Sequence, residues 1–143
     1  MPQFAEHTSE PRPVVLGYDG SRTSRRALVR AAEAAGAGGR VIVVTAVPRG
    51  DAFSPDSELE SAIDEPARLL EEAAARLSGY GVDVSTEVDE ADPVEALVAA
   101  ARRADAQLIV VGARGESYVA RALRGSVGER LISQSPCDVL VAQ

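Results

Sequence analysis

Five apolar segments with the character of β-strands alternate with four longer segments of helical periodicity along the chain. The strand-like segments cover residues 13–18, 40–47, 82–88, 108–111 and 138–142. Most are near-continuous apolar runs, which is typical of parallel strands buried on both faces. Residues 82–88 instead alternate between apolar and polar side chains, which indicates a half-buried strand at a sheet edge. With right-handed crossovers, the pattern predicts an α/β fold, an open five-stranded parallel sheet with helices on both faces.

The first predicted helix follows the turn Asp19-Gly20-Ser21. Ser21 or Ser24 can cap its N-terminus, and the glycines at positions 36, 38 and 39 end it. Its apolar face consists of Ala27, Leu28, Ala31, Ala32 and Ala35. Asp19 therefore lies where a parallel strand meets its helix, which is the edge at which doubly wound sheets bind ligands. A turn or capping role explains an Asp at this position equally well.

Two further helices are predicted before the fourth strand. The second extends from about Glu58 to Ser78, with Leu69, Leu70, Ala73 and Leu77 on one side. Its start overlaps the acid-rich segment 49–64, for which a solvated linker is favoured over a mobile flap above a site. The third begins at Asp92-Pro93-Val94-Glu95, with the Asp as cap, the Pro in the first position and the Glu as capping-box partner. It extends to about Ala104.

Residues 107–134, QLIVVGARGESYVARALRGSVGERLISQ, combine a buried strand, a glycine-rich loop and the start of the fourth helix. Glycines let backbone N–H groups approach an anion closely, and a helix N-terminus carries unpaired N–H groups and partial positive charge. The stretch therefore predicts a phosphate site. It is not a Walker loop, because all 15 basic residues are Arg and no Lys follows the last glycine. The glycines are also spaced too widely for a dinucleotide fingerprint.

Two residues separate Gly112 from Gly115, and nine separate Gly115 from Gly125-Ser126. This spacing resembles the nucleotide-binding signature of the universal stress protein family. The likeness covers about residues 13–142. Further matching motifs are Asp19-Gly20-Ser21, Asp92-Pro93, LIVVGARG and GSVGERLISQSPCDVLV. The resemblance implies a Rossmann-like, adenine-nucleotide-binding sheet with the strand order 3-2-1-4-5, in which the first and fourth strands meet at the binding crevice.

The resemblance also assigns parts of an adenine nucleotide to particular residues. Asp19 and the main chain of Ala46 would face the adenine end, and Gly112 would lie near the ribose. The residues expected to hold the phosphates are Gly115, Gly125 and Ser126. The implied ligand is ATP, or alternatively ADP or AMP, with Mg²⁺ held mainly by the oxygens of the triphosphate.

Three arginines and two departures from the family pattern bear on this expectation. Arg114, Arg121 and Arg124 lie in or beside the loop, where charge-assisted bonds to phosphate and plain surface exposure are equally open. Gly128 stands where many nucleotide-binding members have Ser or Thr, which would favour AMP or ADP over ATP. Asp138 stands where a Pro is common, in the last strand. Family members often pair through that strand, so a homodimer is expected.

The net charge and the lengths of the apolar runs bear on which partners the protein binds and where it is located. The net charge of −7 argues against binding to nucleic acid or to an anionic membrane. No apolar run approaches the roughly 20 residues of a membrane span, and residues 1–12 lack the apolar core of a signal peptide. A cytoplasmic location is therefore expected. Residues 1–12 also lack periodicity, which predicts a disordered lead before a single domain of residues 13–143.

The single His and the single Cys exclude several chemistries. His7 lies in the predicted lead, so a Ser-His-Asp triad or a His-based metal site has no histidine available. Cys137 has no partner for an intrachain disulfide, and the apolar strand that follows favours a buried, inert thiol over a redox role. The loop offers no Lys, His or evident carboxylate base, so efficient phosphoryl transfer is not expected, and at most slow ATP hydrolysis.

The functional prediction is an adenine-nucleotide-binding regulatory protein of the stress response. The alternative is a protein-interaction module of the same fold that binds no nucleotide, an option that Gly128 keeps open. A phospho-receiver with Asp19 as acceptor is disfavoured, because that fold requires a Lys beside a cluster of acids and this chain has no Lys.

Overall fold

The computed structural model describes residues 12–48, 56–113 and 126–143, with the backbone alone for residues 56–64 and 126–128. The strands are β1 Val14–Gly17, β2 Arg40–Val47, β3 Asp83–Glu90, β4 Leu108–Gly112 and β5 Asp138–Ala142. The α-helices in these ranges are α1 Arg22–Ala35, α2 Asp56–Leu77, α3 Pro93–Ala104 and α4 Ser126–Gln134. A short 3₁₀ turn, Ser78–Tyr80, follows α2.

The strands form one sheet in the order β3-β2-β1-β4-β5, and every neighbouring pair is parallel. The predicted α/β class and strand order are therefore confirmed. Val15 of β1 pairs with Ile42 of β2 on one side and with Ile109 of β4 on the other. The chain leaves β1 in one direction towards β2 and β3, and later returns to place β4 on the opposite flank. In open α/β sheets, such a reversal is where ligands bind, and here it lies between β1 and β4 at the carboxyl edge.

Helices cover both faces of the sheet, as predicted. One core layer joins α1 and α2 to the sheet and includes Leu16, Leu28, Val43, Leu77 and Val110. The other joins α3 and α4 to the opposite face and includes Val15, Ile42, Leu97, Ile109 and Leu131. Successive strand residues point to opposite faces, so the continuous apolar runs in β1, β2 and β4 supply both layers at once.

Local signals in the sequence define the ends of α1 and α3. Ser21 caps α1 by accepting the Ser24 backbone N–H at 3.2 Å, which selects Ser21 from the two candidate caps. Gly36, with φ of 74°, ends the helix as predicted. Asp92 caps α3 through Oδ2, which accepts the Glu95 backbone N–H at 3.2 Å. These caps fix where each helix leaves the carboxyl edge of the sheet.

Several expectations need adjustment. β3 is an edge strand as predicted, since no strand flanks its outer side in the described part of the chain. Val88, predicted to lie on the apolar face of this strand, is nevertheless 48% exposed. Cys137 is half-buried rather than buried, and it packs against the layer formed with α3 and α4. The helix predicted from about Glu58 begins at Asp56, so part of the acid-rich segment 49–64 is helical.

Arg12, the first described residue, contacts the domain. The Arg12 guanidinium donates to the backbone oxygens of Asp105 at 3.0 Å and Ala106 at 3.1 Å, one residue before the predicted boundary. Residues 1–11, including His7, lie outside the described residues. Within the described part, no helix has the length and apolar character needed to cross a membrane.

Candidate functional site

Three of the predicted site residues meet at the carboxyl edge of the sheet. Asp19 lies two residues after β1, Ala46 is the penultimate residue of β2, and Gly112 ends β4. These strands are neighbours in the sheet, so the fold brings the three positions to one edge. Ser126 is the first residue of α4, and its side chain is not described. The other predicted positions, Arg114, Gly115 and Gly125, lie outside the described residues, as do Arg121 and Arg124.

Asp19 takes part in the turn that starts α1. Its Oδ1 accepts the Ser21 backbone N–H at 2.9 Å, and its own N–H donates to Ser24 Oγ at 3.4 Å. Ser24 Oγ in turn donates to the Ser21 carbonyl oxygen at 2.9 Å. The turn role that the sequence left open is therefore present. It is compatible with a ligand role, because a carboxylate has about four lone-pair sites on two oxygens.

Gly112 brings the end of β4 against the first turn of α1. A Cβ at this position would lie 2.6 Å from the Ser24 nitrogen, from the Thr23 carbonyl carbon and from Thr23 Oγ1. Two of these neighbours are backbone atoms, so they cannot move aside by a rotamer change. Any larger residue would separate β4 from α1 and widen the crevice beside Asp19. Sequence reasoning assigned Gly112 to a ribose and missed this packing role.

The main chain of Ala46 faces the β1 side of β2, beyond the end of the β1–β2 ladder. Along a strand, the backbone groups of successive residues point to alternate sides. The Val44 carbonyl accepts the Tyr18 N–H at 3.1 Å on the β1 side, and the Val47 carbonyl accepts the Ala91 N–H at 3.1 Å on the β3 side. Ala46, two residues after Val44, therefore directs its N–H and C=O over the end of β1. The whole residue is only 5% exposed, so the Ala46 side chain offers no surface to a ligand.

A buried tyrosine anchors the end of β1 to α2. The Tyr18 hydroxyl donates to Glu72, whose Oε1 also lies 3.5 Å from Arg25 Nε and 3.4 Å from Arg76 Nε. Burial, with the Glu72 hydrogen bond, raises the pKa of Tyr18 to about 12. The hydrogen bond from Tyr18, with the charges of Arg25 and Arg76, lowers the pKa of Glu72 against the opposing effect of burial. Thr45 Oγ1 donates to the Tyr18 carbonyl at 3.0 Å and ties the same point to β2.

This anchor was missed at the sequence level, because the apolar pattern of the first strand gives no sign that its last residue has a polar partner. The only available signal was a Tyr at the end of a buried strand, since a buried hydroxyl requires a hydrogen-bond partner. The anchor fixes the residue that precedes Asp19 and so limits movement of the crevice wall. Among the described side chains, no group of His, Cys, Asp and Glu is arranged to hold a metal ion.

Comparison with known proteins gives a consistent result. The model of the universal stress protein family matches residues 10–143. A universal stress protein of Mycobacterium tuberculosis is 33% identical over 138 residues, which cover 91% of this chain and 94% of the relative.

Two solved structures are also similar over nearly their whole length. A universal stress protein in complex with cAMP has a TM-score of 0.72 and 33% identity, with 92% of this chain and 97% of that chain covered. The universal stress protein of Archaeoglobus fulgidus in complex with dAMP has a TM-score of 0.74 and 25% identity, with 92% and 98% covered.

Proposed function

Because this chain belongs to the universal stress protein family, we propose that it binds an adenine nucleotide, ATP in the first place, at the crevice between β1 and β4. One observation carries the proposal. The main-chain N–H and C=O of Ala46 project beyond the end of β1, at the edge where Asp19 and Gly112 also lie. The two relatives whose structures contain cAMP and dAMP support the choice of an adenine nucleotide.

The chemistry of each position fits one part of the ligand. An adenine edge carries a nitrogen acceptor next to an amino donor, and the Ala46 N–H and C=O complement both. The Asp19 carboxylate accepts from a donor on the adenosine part, and the close approach of backbone at Gly112 suits the ribose.

The phosphates lie on the glycine-rich loop of residues 112–126. The groups that hold them are Arg114, Gly115, Gly125 and Ser126. The α4 N-terminus adds its unpaired N–H groups, and Mg²⁺ accompanies the triphosphate. Gly128 removes a hydroxyl that many family members provide, so AMP and ADP are the competing ligands.

The proposed biological role is regulation in the stress response in the cytoplasm, with at most slow hydrolysis of ATP. The rival, an interaction module that binds no nucleotide, shares the fold, so a binding measurement separates the two. The proposed assembly is a homodimer through β5, where Leu140 is 37% exposed and Val141 is 43% exposed. An open groove of about 640 Å³ beside this strand is also lined by Val29, Arg26 and Arg30 of α1.

Substitutions of Asp19 test the adenosine half of the site. Asp19→Ala should reduce affinity for ATP and for adenosine by about 10-fold or more, because a hydrogen bond to a charged group contributes about 1.5–3 kcal/mol. Asp19→Asn retains an Oδ1 acceptor for the Ser21 N–H, so it separates the turn role from the charge. Isothermal titration calorimetry gives the affinities and thermal unfolding controls for folding. Unchanged affinity in Asp19→Ala would contradict the assignment.

Gly115→Val tests the phosphate half. A side chain at this position should fill the space that the phosphates need and abolish the advantage of ATP over adenosine, while adenosine affinity stays within about twofold. The same titrations with both ligands measure it. If Gly115→Val binds ATP as tightly as the wild type does, the loop does not hold the phosphates.

A further inference from the structure

An ion pair connects the starts of α3 and α4. Arg130, in the second turn of α4, donates through Nη2 to Asp92 Oδ2, the oxygen that also accepts the Glu95 N–H and caps α3. The Arg130 side chain is 41% exposed and the Asp92 side chain 32% exposed. A single carboxylate thus holds two helices at the carboxyl edge of the sheet. Sequence reasoning identified Asp92 as a cap but gave Arg130 no role.

The pair lies between two parts of the proposed site. Asp92 is next to the end of β2, where adenine would bind, and Arg130 is near the start of α4, where the phosphates would bind. Arg130 is four residues, or about 6 Å along the helix axis, from Ser126, where α4 begins. On the other side, Asp92 follows Ala91, whose N–H donates to the Val47 carbonyl at 3.1 Å. Val47 is the neighbour of Ala46. The contacts therefore run continuously from the end of β2, through the α3 cap, to the first turns of α4.

We infer that Asp92 and Arg130 are a positioning pair for phosphate recognition: they hold the N-terminus of α4 at a fixed place relative to the adenine-binding end of β2. The inference rests on the proposed function. The unpaired N–H groups of a helix N-terminus act on an anion only over the first turn, so their contribution depends on where that turn lies. An ion pair one turn further along the same helix controls both its position and its rotation.

The pair is suited to positioning more than to stabilising the fold. Ion pairs with this degree of exposure contribute little to folding stability, because water screens both charges. Displacement of a binding group by about 1 Å is far more damaging to recognition, and loss of a partner that orients a binding group typically costs about 10-fold or more. Removing the pair should therefore reduce binding of the phosphates while thermal stability changes little.

A simpler alternative is that Arg130 attracts phosphate by its charge alone. The two explanations predict opposite effects of Asp92→Asn on the affinity for ATP. Neutralising Asp92 leaves the Arg130 charge uncompensated, so attraction by charge would strengthen ATP binding, whereas loss of positioning would weaken it. Asn also retains an oxygen that can cap α3, so the helix start is preserved, while the loss of charge weakens the hydrogen bond from Arg130 to this oxygen. Asp92→Asn and Arg130→Gln should consequently have the same sign under our inference and opposite signs under the alternative.

The experiment measures the affinity of the full chain for ATP with Mg²⁺ and for adenosine, which lacks the phosphates, by calorimetry. Arg130→Gln and Asp92→Asn should each weaken ATP binding about 10-fold and leave adenosine binding within about twofold. The double variant should bind ATP no more weakly than either single variant, since both remove one interaction. The matched control is Arg103→Gln, which removes the 2.8 Å ion pair with Glu87 at the far end of α3 and should change neither affinity.

Each other outcome overturns the inference. Wild-type affinity for ATP in both single variants would show that the pair positions nothing, and an equal loss for ATP and adenosine would show a general structural role. Tighter ATP binding by Asp92→Asn would favour charge alone. If the wild-type protein binds adenosine and ATP equally, the phosphates are not recognised. The inference then fails, but the proposed binding of adenosine does not. A wild-type protein that binds neither would overturn the proposed function as well.

Discussion

The packing of β4 against α1 requires glycine at position 112, whether or not a ligand is bound. The backbone at the end of β4 touches the backbone of the first turn of α1, and a Cβ would enter that contact at 2.6 Å from Thr23 and Ser24. The same close approach keeps Asp19, which bonds Ser24, beside the end of β4. One glycine therefore fixes both the packing of α1 on the sheet and the width of the crevice.

Gly112→Ala should lower the free energy of unfolding by about 1–3 kcal/mol, because the methyl group forces apart two segments of backbone. Urea denaturation measures the change. Gly79→Ala is the matched control, since a Cβ at Gly79 meets nothing within 4 Å, and its stability should stay within about 0.5 kcal/mol of the wild type. Equal stability of Gly112→Ala and Gly79→Ala would show that the contact at β4 is not rigid.

The sequence predicted that Asp19 and Gly112 lie at this edge, but not the backbone contact that Gly112 makes there. Asp19 follows an apolar run and Gly112 ends another, so their position at the carboxyl edge follows from the α/β pattern alone. The contact of Gly112 with Thr23 and Ser24 depends on the distance between a strand and a helix that are far apart in sequence, and no local pattern encodes that distance.

At the scale of elements, the partly buried Tyr18–Glu72 hydrogen bond joins the end of β1 to α2. Glu72 has a lowered pKa in the folded state, mainly because Tyr18 donates to its carboxylate and Arg25 and Arg76 lie close by. A carboxyl group with a lowered pKa makes its full contribution to stability when the pH is above its ordinary pKa of 4.5. This contribution is lost as the pH falls through the lower pKa of the folded state.

Tyr18→Phe should reduce the free energy of unfolding by about 1 kcal/mol at neutral pH, since it removes the hydrogen bond but keeps the buried ring. The variant's Glu72 should titrate nearer its ordinary pKa, so its deficit against the wild type should shrink as the pH falls below 4.5. Urea denaturation across this pH range measures both effects. Tyr80→Phe, at an exposed position, is the control, and a deficit independent of pH would contradict the account.

The sequence predicted the ends of strands and helices where the local residues mark them, as an apolar run or a helix cap does. β2 and β5 match the predicted segments, and α3 begins at Pro93, directly after its predicted cap Asp92. The exposure of Val88 was not predictable from the alternation of β3, because alternation shows which side chains share a face but not how far a neighbouring element covers that face.

At the scale of the whole molecule, the two edges of the sheet differ in character. The β3 edge carries acidic residues, and such charges oppose pairing between edge strands. The β5 edge exposes Leu140 and Val141 beside a groove that continues onto α1. The proposed homodimer therefore uses β5, and the fold itself leaves β3 protected from the same kind of association.

Val141→Glu should convert the proposed dimer to a monomer, because it places a charge in the apolar part of the β5 surface. Val88→Glu is the matched control: the residue type is the same, Val88 is 48% exposed against 43% for Val141, and it lies on the opposite edge. Size-exclusion chromatography with light scattering measures the mass of each. A monomeric wild type, or dissociation by Val88→Glu alone, would contradict assembly through β5.

The ligand that the protein retains through purification shows whether the crevice binds an adenine nucleotide. The chain is purified without added nucleotide and denatured, and the released small molecules are separated by anion-exchange chromatography beside AMP, ADP and ATP standards. We expect close to one adenine nucleotide per chain, with ATP as the main species. Absence of any adenine nucleotide, together with no thermal shift on addition of ATP and Mg²⁺, would contradict this expectation and favour the interaction module.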